Sequence, residues 1–217
     1  MGRTLHPKYS HEYVAMVCLV SYVMRYVRPT GKEFTVLELG CGAGANIPFF
    51  LSLGVQYYAI EGSSSVIKKL HDKFPQIKKN LVSGDFTQDM PFNTNFDLVV
   101  DRSSVTHNTE DGIRNCLKIV HNKLQSEGKY VGIDWFSLLH SDYVKGQKDS
   151  DVFTKTGYAH GQFASVGRVH FSNKEHLVDL FKDFDILVLE HKEIKTEIPV
   201  NEKIFASWNL VAQKKTV

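Results

Sequence analysis

The chain has 217 residues, of which 42% are hydrophobic and 23% charged, with a formal net charge of +2. The length supports one sizeable core, and the charge lacks the basic excess of a dedicated nucleic-acid binder. Its three cysteines, Cys18, Cys41 and Cys116, are too scattered for a disulfide framework or a zinc pattern, so a single domain in a reducing cytoplasm is expected.

Ser10 is placed to cap an amphipathic helix running to about Val27, closed by Arg28-Pro29-Thr30-Gly31. Its apolar stretch, Tyr13 to Tyr26, is too short and too charged at its ends to span a bilayer, and it does not read as a secretory leader. Thr35–Leu39 is a short apolar run bounded by turn signals, which predicts a strand buried on both faces. Gly40, Gly42 and Gly44 follow at alternate positions. Without Cβ atoms they allow a tight turn and close contact with a ligand. Ala45–Leu53 has apolar residues at helical spacing, with Pro48 in the first turn where proline is tolerated. Its N-terminus would point free N–H groups at whatever the glycines cradle. Gln56–Ile60 reads as the next parallel strand and ends at Glu61, where a carboxylate can accept both hydroxyls of a ribose.

Further on, Ser63–Phe74 reads as a helix with Ser63 as cap, and Asn80–Gly84 as a third strand leading into Asp85-Phe86. Phe96–Val100 is a fourth strand, running into Asp101-Arg102-Ser103. Thr109–Leu124 is a helix with Glu110 and Asp111 in its first turn and His121 and Lys123 in its last, an order that suits the helix dipole. Gly128–Trp135 reads as a fifth strand. Ser172–Phe184 is a further helix, with Ser172 and Glu175 as a capping box, followed by strands at Asp185–Glu190 and Ile204–Gln213. Alternating strands and helices predict an α/β fold. The segment between the fifth strand and the last helix, Phe136 to Phe171, is long for a loop and rich in aromatic residues and histidine. Such segments are commonly lids or binding loops.

The glycine spacing narrows the ligand. The dinucleotide fingerprint puts its third glycine three positions after the second, whereas here the pattern is Gly-x-Gly-x-Gly with Glu38 before it. Glu38-Leu39-Gly40-Cys41-Gly42-Ala43-Gly44 resembles motif I of the class I S-adenosylmethionine-dependent methyltransferases of small-molecule type. Glu61 is similar to that family's motif II acid, and Gly84-Asp85-Phe86 to its adenine contact. The resemblance covers about residues 30 to 136 in order. It implies a Rossmann-like seven-stranded sheet, mostly parallel with an antiparallel last strand, and helices on both faces. It also implies an N-terminal helix or lid over residues 1–30, a cofactor-binding core over 31–135, a substrate cover over 136–171, and a closing helix and strands over 172–217.

The resemblance further implies that S-adenosylmethionine is held by Glu38, Gly40, Gly42, Gly44, Asn46, Glu61, Gly62, Asp85, Phe86, Asp101 and Arg102. Asp85 would accept from the adenine amino group and Phe86 would lie beside the ring. Asp101 and Arg102 would meet the cofactor's methionine end or an acidic substrate. The expected reaction is in-line methyl transfer to an oxygen or nitrogen of a small molecule, which leaves S-adenosylhomocysteine. Such a reaction asks the protein mainly for alignment and exclusion of water. His107, after the fourth strand, is the expected base where the acceptor carries a proton. Tyr9 and Tyr13 near the N-terminus, and Tyr143, Tyr158, His160, Arg168 and His170 in the cover, are the expected substrate contacts.

No metal is expected. Asp101, Asp134 and Asn108 could gather near one sheet end, but Asp134 is followed by Trp135, so the Asp-Asn pair of magnesium-dependent relatives is missing. Asp101-Arg102-Ser103-Ser104 also stands where base-amino methyltransferases carry Asn/Asp-Pro-Pro-Tyr/Phe. The other readings are an RNA or protein methyltransferase, a non-catalytic S-adenosylmethionine-binding module and an NAD-dependent oxidoreductase. The expected partner is a small-molecule methyl acceptor, with neither nucleic acid nor membrane involved.

Overall fold

A computed structural model describes residues 10–215, with side chains from residue 18 onward. The elements in chain order are α1 (Ser10–Tyr26), β1 (Thr35–Leu39), α2 (Ile47–Ser52), β2 (Gln56–Glu61), α3 (Ser64–Lys73), β3 (Leu81–Ser83), β4 (Phe96–Arg102), α4 (Glu110–Lys123), β5 (Leu124–Phe136), β6 (Gln147–Lys148), β7 (Thr154–Thr156), β8 (Val169–His170), α5 (Lys174–Leu180), β9 (Phe184–Thr196) and β10 (Asn201–Lys214). Seven strands form one sheet in the order β3-β2-β1-β4-β5-β10-β9. β1 to β5 run parallel, and β10 inserts antiparallel to both β5 and β9. This is the Rossmann-like sheet implied above.

The period-2 alternation of each strand divides the core into two layers. Leu37, Leu39 and Val99 pack with Ile113, Cys116, Leu117 and Val120 of α4 and with Leu177 and Leu180 of α5. Val36, Leu98, Val100, Val131 and Ile133 turn the other way, toward Leu19 and Val23 of α1, Ile47 and Phe50 of α2, and Ile67 and Leu70 of α3. Helices therefore cover both faces, as a mostly parallel sheet requires.

Two caps form as the sequence predicts. Ser63 accepts from the N–H of Val66, and Thr109 from that of Gly112. Of Ser10, only the helical backbone is described. Two helices differ from expectation. α2 starts two residues late, because Ala43 to Asn46 are still in the glycine turn and the Asn46 side chain does not cap. α5 is short and is capped by Asn173, whose Oδ1 accepts from the N–H of His176 at 2.8 Å. The Ser172–Glu175 box does not form, because the Ser172 N–H donates to the carbonyl of Phe136 and its own carbonyl accepts from Leu138. Ser172 thus closes the base of the long segment instead of opening the helix. That segment is itself structured. β6, β7 and β8 make a small antiparallel sheet, and Phe136, Tyr158, Phe163, Val169 and Phe171 form a separate apolar cluster.

Candidate functional site

The carboxyl ends of β1 to β4 meet at a cavity of about 630 Å³, lined by Gly40, Glu61, Gly62, Gly84, Asp85, Phe86, Ser104, His107 and Asn108. This is the side of an open α/β sheet where ligands bind. Its size falls in the usual range for small-molecule and cofactor sites. Gly40 has φ +67°, and a Cβ there would lie 2.3 Å from Cβ of Ser104, so the loop passes the end of β4 with no room for a side chain. Gly42, at φ +50°, would point a Cβ into open space. Its N–H donates to Glu61 Oε2 at 2.9 Å, while Glu61 Oε1 accepts from the Ser63 N–H at 3.0 Å. Both bonds fix the carboxylate and leave lone pairs on each oxygen. Asp85 Oδ1 accepts from the Thr87 N–H and hydroxyl, at 2.9 and 2.7 Å. That leaves Oδ2 for another donor.

Gly42, also expected at the cofactor, does not itself line this cavity and reaches it only through Glu61, and four further expected residues brace the cavity from behind. Glu38 is buried, accepting from the Tyr57 hydroxyl and from Asn46 Nδ2. Burial pushes its carboxyl up to about 7. Asn46 therefore ties the far end of the glycine loop back to β1. Gly44, at φ +77°, lies against Leu70 and Ile47, where a Cβ would come within 2.7 and 2.8 Å. Asp101 is fully buried and accepts from Trp135 Nε1 at 2.7 Å, from the N–H groups of Ser104 and Val105 at 2.9 and 3.0 Å, and from the Ser104 hydroxyl. Burial raises its pKa despite these donors. Its role here is to fold the turn that carries Ser104 and His107. Arg102, also expected at the cofactor, lines a different cavity.

That second cavity, of about 230 Å³, is lined by Arg102, Ser103, His107, Asp134, Phe136, Gln162, Phe163, Val166 and Phe205. His107 stands at the boundary and lines both cavities. It ends a 3-10 turn, Val105–His107, and its Nδ1 lies 2.8 Å from the carbonyl oxygen of Arg168. A carbonyl can only accept, so Nδ1 carries the proton and the lone pair of the neutral ring sits on Nε2.

The expected cover contacts fall elsewhere. Tyr143, Tyr158, His160, Arg168 and His170 line neither cavity. The Tyr143 hydroxyl donates to Val152, and the Arg168 side chain pairs with Asp149. Tyr158 is packed in the cover's apolar cluster, and His160 is exposed. His170 is fully buried and bonded to Thr154 and His176. Tyr9 lies outside the described residues, and for Tyr13 only the helical backbone is described. The cover instead contributes Phe136, Gln162, Phe163 and Val166 as wall, and Arg168 through its main chain. Ser104 and Phe205 are further wall residues that sequence reasoning missed. Serine after a strand is commonplace, and Phe205 reaches the site only through the β10 crossover.

Among the described residues, no group of three or more His, Cys, Asp or Glu side chains is arranged to hold a metal ion, and no helix is long and apolar enough to cross a membrane.

The methyltransferase domain family matches residues 36–128. No curated protein matches the chain. Among solved structures, an S-adenosylmethionine-dependent methyltransferase of Methanosarcina mazei is 16% identical with a TM-score of 0.69, over 98% of this chain and 99% of that one. A glycopeptide N-methyltransferase complexed with S-adenosylmethionine is 19% identical with a TM-score of 0.62, over 93% and 94% of the two chains. An amino pentose methyltransferase of Micromonospora echinaspora is 13% identical with a TM-score of 0.60, over 99% and 100%. At such identities the likeness is one of fold.

Proposed function

We propose that this protein, whose residues 36–128 match the methyltransferase domain family and whose sheet has the fold of S-adenosylmethionine-dependent methyltransferases, is an enzyme that methylates an oxygen or nitrogen of a small molecule. The observation that carries the reading is His107, which stands between a cofactor-sized cavity and a smaller one. The donor cavity suits S-adenosylmethionine on its own geometry. Glu61 presents a fixed carboxylate suited to accept from a ribose, Asp85 keeps an acceptor beside Phe86, and Gly42 leaves the space of a side chain open. Bound there, the cofactor supplies an already activated methyl group.

The protein's own contribution is alignment and a proton acceptor. Phe136, Phe163, Val166 and Phe205 give the smaller cavity an apolar wall against which an acceptor can be aligned. His107 Nε2 takes the proton from an acceptor hydroxyl or ammonium, while the Arg168 carbonyl holds the opposite ring nitrogen and fixes the orientation. Two of the structurally similar enzymes act on a glycopeptide nitrogen and on an amino pentose, which supports a small-molecule acceptor. The free thiols Cys18, Cys41 and Cys116 suit a reducing cytoplasm.

Calorimetry with S-adenosylmethionine and with NAD tests the donor half, and binding of the former alone is expected. Incubation with a library of hydroxyl- and amine-bearing small molecules, read by mass spectrometry, should yield methylated products. His107→Gln should then slow turnover about a hundredfold at unchanged donor affinity. An unaltered rate would remove His107 from the proton transfer.

A further inference from the structure

The smaller cavity carries a guanidinium that is only loosely paired. Arg102, at the end of β4, presents a guanidinium whose Nε is shut off from solvent without a hydrogen-bond partner, 3.5 Å from Asp134 Oδ2. Asp134, at the end of β5, is already held on its other oxygen by Lys192 and by the Ser207 hydroxyl. Two cations therefore face one carboxylate. Lys192 is taken up by Asp134 and by the ring of Phe205, so Arg102 is the cation left facing the cavity. The Nε stays sealed against Asp134, so a ligand in the cavity would meet the terminal N–H groups of the guanidinium.

The backbone adds a second, independent observation. Ser103 and Asp134 both have left-handed conformations, with φ of 55° and 58°. Neither is a glycine; Ser103 directly follows β4, Asp134 lies near the end of the adjacent β5, and both line the same cavity. The Ser103 hydroxyl donates to the Asp134 carbonyl at 3.1 Å and locks the pair. Such strain persists where the surroundings hold it, and it gathers at binding sites. Here it sets Arg102 and Asp134 in the wall of a pocket that also holds Phe136, Phe163 and Phe205.

We propose that the methyl acceptor is a compact ring compound bearing a carboxylate, with the carboxylate on Arg102 and the ring against Phe136, Phe163 and Phe205. This rests on the methyltransferase reading above. A guanidinium binds a carboxylate through two parallel N–H donors, and phenylalanine faces and edges pack against flat or hydroxylated rings. The cavity of about 230 Å³ is below the usual drug-sized range, which favours one ring over a fused system. His107, shared with the donor cavity, would then meet the ring's hydroxyl or amine on the side facing the donor.

The test uses the full chain saturated with S-adenosylhomocysteine, titrated by calorimetry or ligand-observed NMR with two matched pairs. One pair is 4-hydroxybenzoate and 4-hydroxybenzamide, and the other is glucuronate and glucuronamide. At least one acid should bind about tenfold or more tightly than its amide, and which pair shows it tells an aromatic ring from a sugar ring. Arg102→Gln should abolish the acid preference, and Arg102→Lys should restore part of it. Equal binding within both pairs, binding of none of the four, or a preference that survives Arg102→Gln would overturn the proposal. If the chain fails to bind S-adenosylhomocysteine at all, it is the methyltransferase reading that falls, and the two failures are thereby distinguished.

Discussion

The donor cavity is walled by residues at and just after the carboxyl ends of β1 to β4, all from within residues 40–108. The smaller cavity beside it is walled by large side chains from β4, β5, β10 and the cover, brought together from residues 102 to 205. The first depends on main-chain geometry. Gly40 and Gly42 hold positive φ, a backbone N–H grips Glu61, and Asp85 closes its own turn. The second depends on packing between distant segments and on a loosely paired guanidinium at a strand end. Backbone substitutions should therefore destroy the one and side-chain truncations the other.

The sharpest break concerns Gly42. Gly42→Leu places a side chain in the open space at the glycine loop and a branched residue at φ +50°, so calorimetry should detect no S-adenosylmethionine binding. Gly31 has φ +85° with equally open space but precedes β1, at the end of the strand opposite the cavity, whereas Gly42 is bonded to the cavity residue Glu61. Gly31→Leu carries the same kind of backbone cost and should bind the donor normally. If both variants lose binding, strain alone explains the effect and the loop loses its claim to the cofactor. On the packing side, Phe171 is fully buried in the cover's cluster and lines neither cavity. Phe171→Ala should cost about 3–5 kcal/mol and lower Tm by roughly 10 °C, while donor affinity stays at the wild-type value. Loss of donor binding there would show that the two regions fold as one unit.

This contrast also explains what could be read from the sequence. The donor half depends on local patterns, so the strands, the glycine turn, Glu61 and Asp85-Phe86 were all visible in residue order. What escaped was direction. Glu38 and Asp101 lie close in sequence to the cavity residues Gly40 and Arg102, yet their carboxylates point into the core, toward Tyr57 and Trp135. A linear motif records spacing and does not say which face a strand-end acid takes. In the cover, the aromatic residues marked an ordered segment, but which of them face the ligand depends on pairing between β7 and β8 and on the β10 crossover. Tyr143 and His170 were expected at the substrate because they are polar and aromatic, and packing turned both away.

The smallest effect separates two histidines, one beside the cavities and one in the cover. His107 faces the cavities, whereas His170 is the middle of a buried chain. The Thr154 hydroxyl has one proton and gives it to Asp151, at 2.6 Å, so it must accept from His170 Nδ1 at 2.9 Å. Neutral His170 then offers a bare Nε2, which accepts from His176 Nε2 at 2.9 Å. No atom of His170 is left to bind a second proton without losing a partner. Burial first, and then the neighbouring His176, lower its pKa from 6.5 to about 3. The unfolded chain therefore binds a proton here between about pH 6.5 and 3 that the folded chain refuses. Stability from this group is complete above pH 6.5 and is lost as pH falls through that window. Glu38, raised to about 7, acts with the opposite sign, stabilising the fold below pH 4.5 and losing that effect as pH rises. Comparing wild type with His170→Gln cancels Glu38, which both proteins keep. The stability difference between them should shift against wild type by on the order of 1 kcal/mol per pH unit below 6.5, measured by urea denaturation. Amide hydrogen exchange in β7 and β8 should quicken in acid for wild type alone. Parallel stability curves for the two proteins would mean that His170 keeps its proton count through the window and that the cover is held by its phenylalanines only.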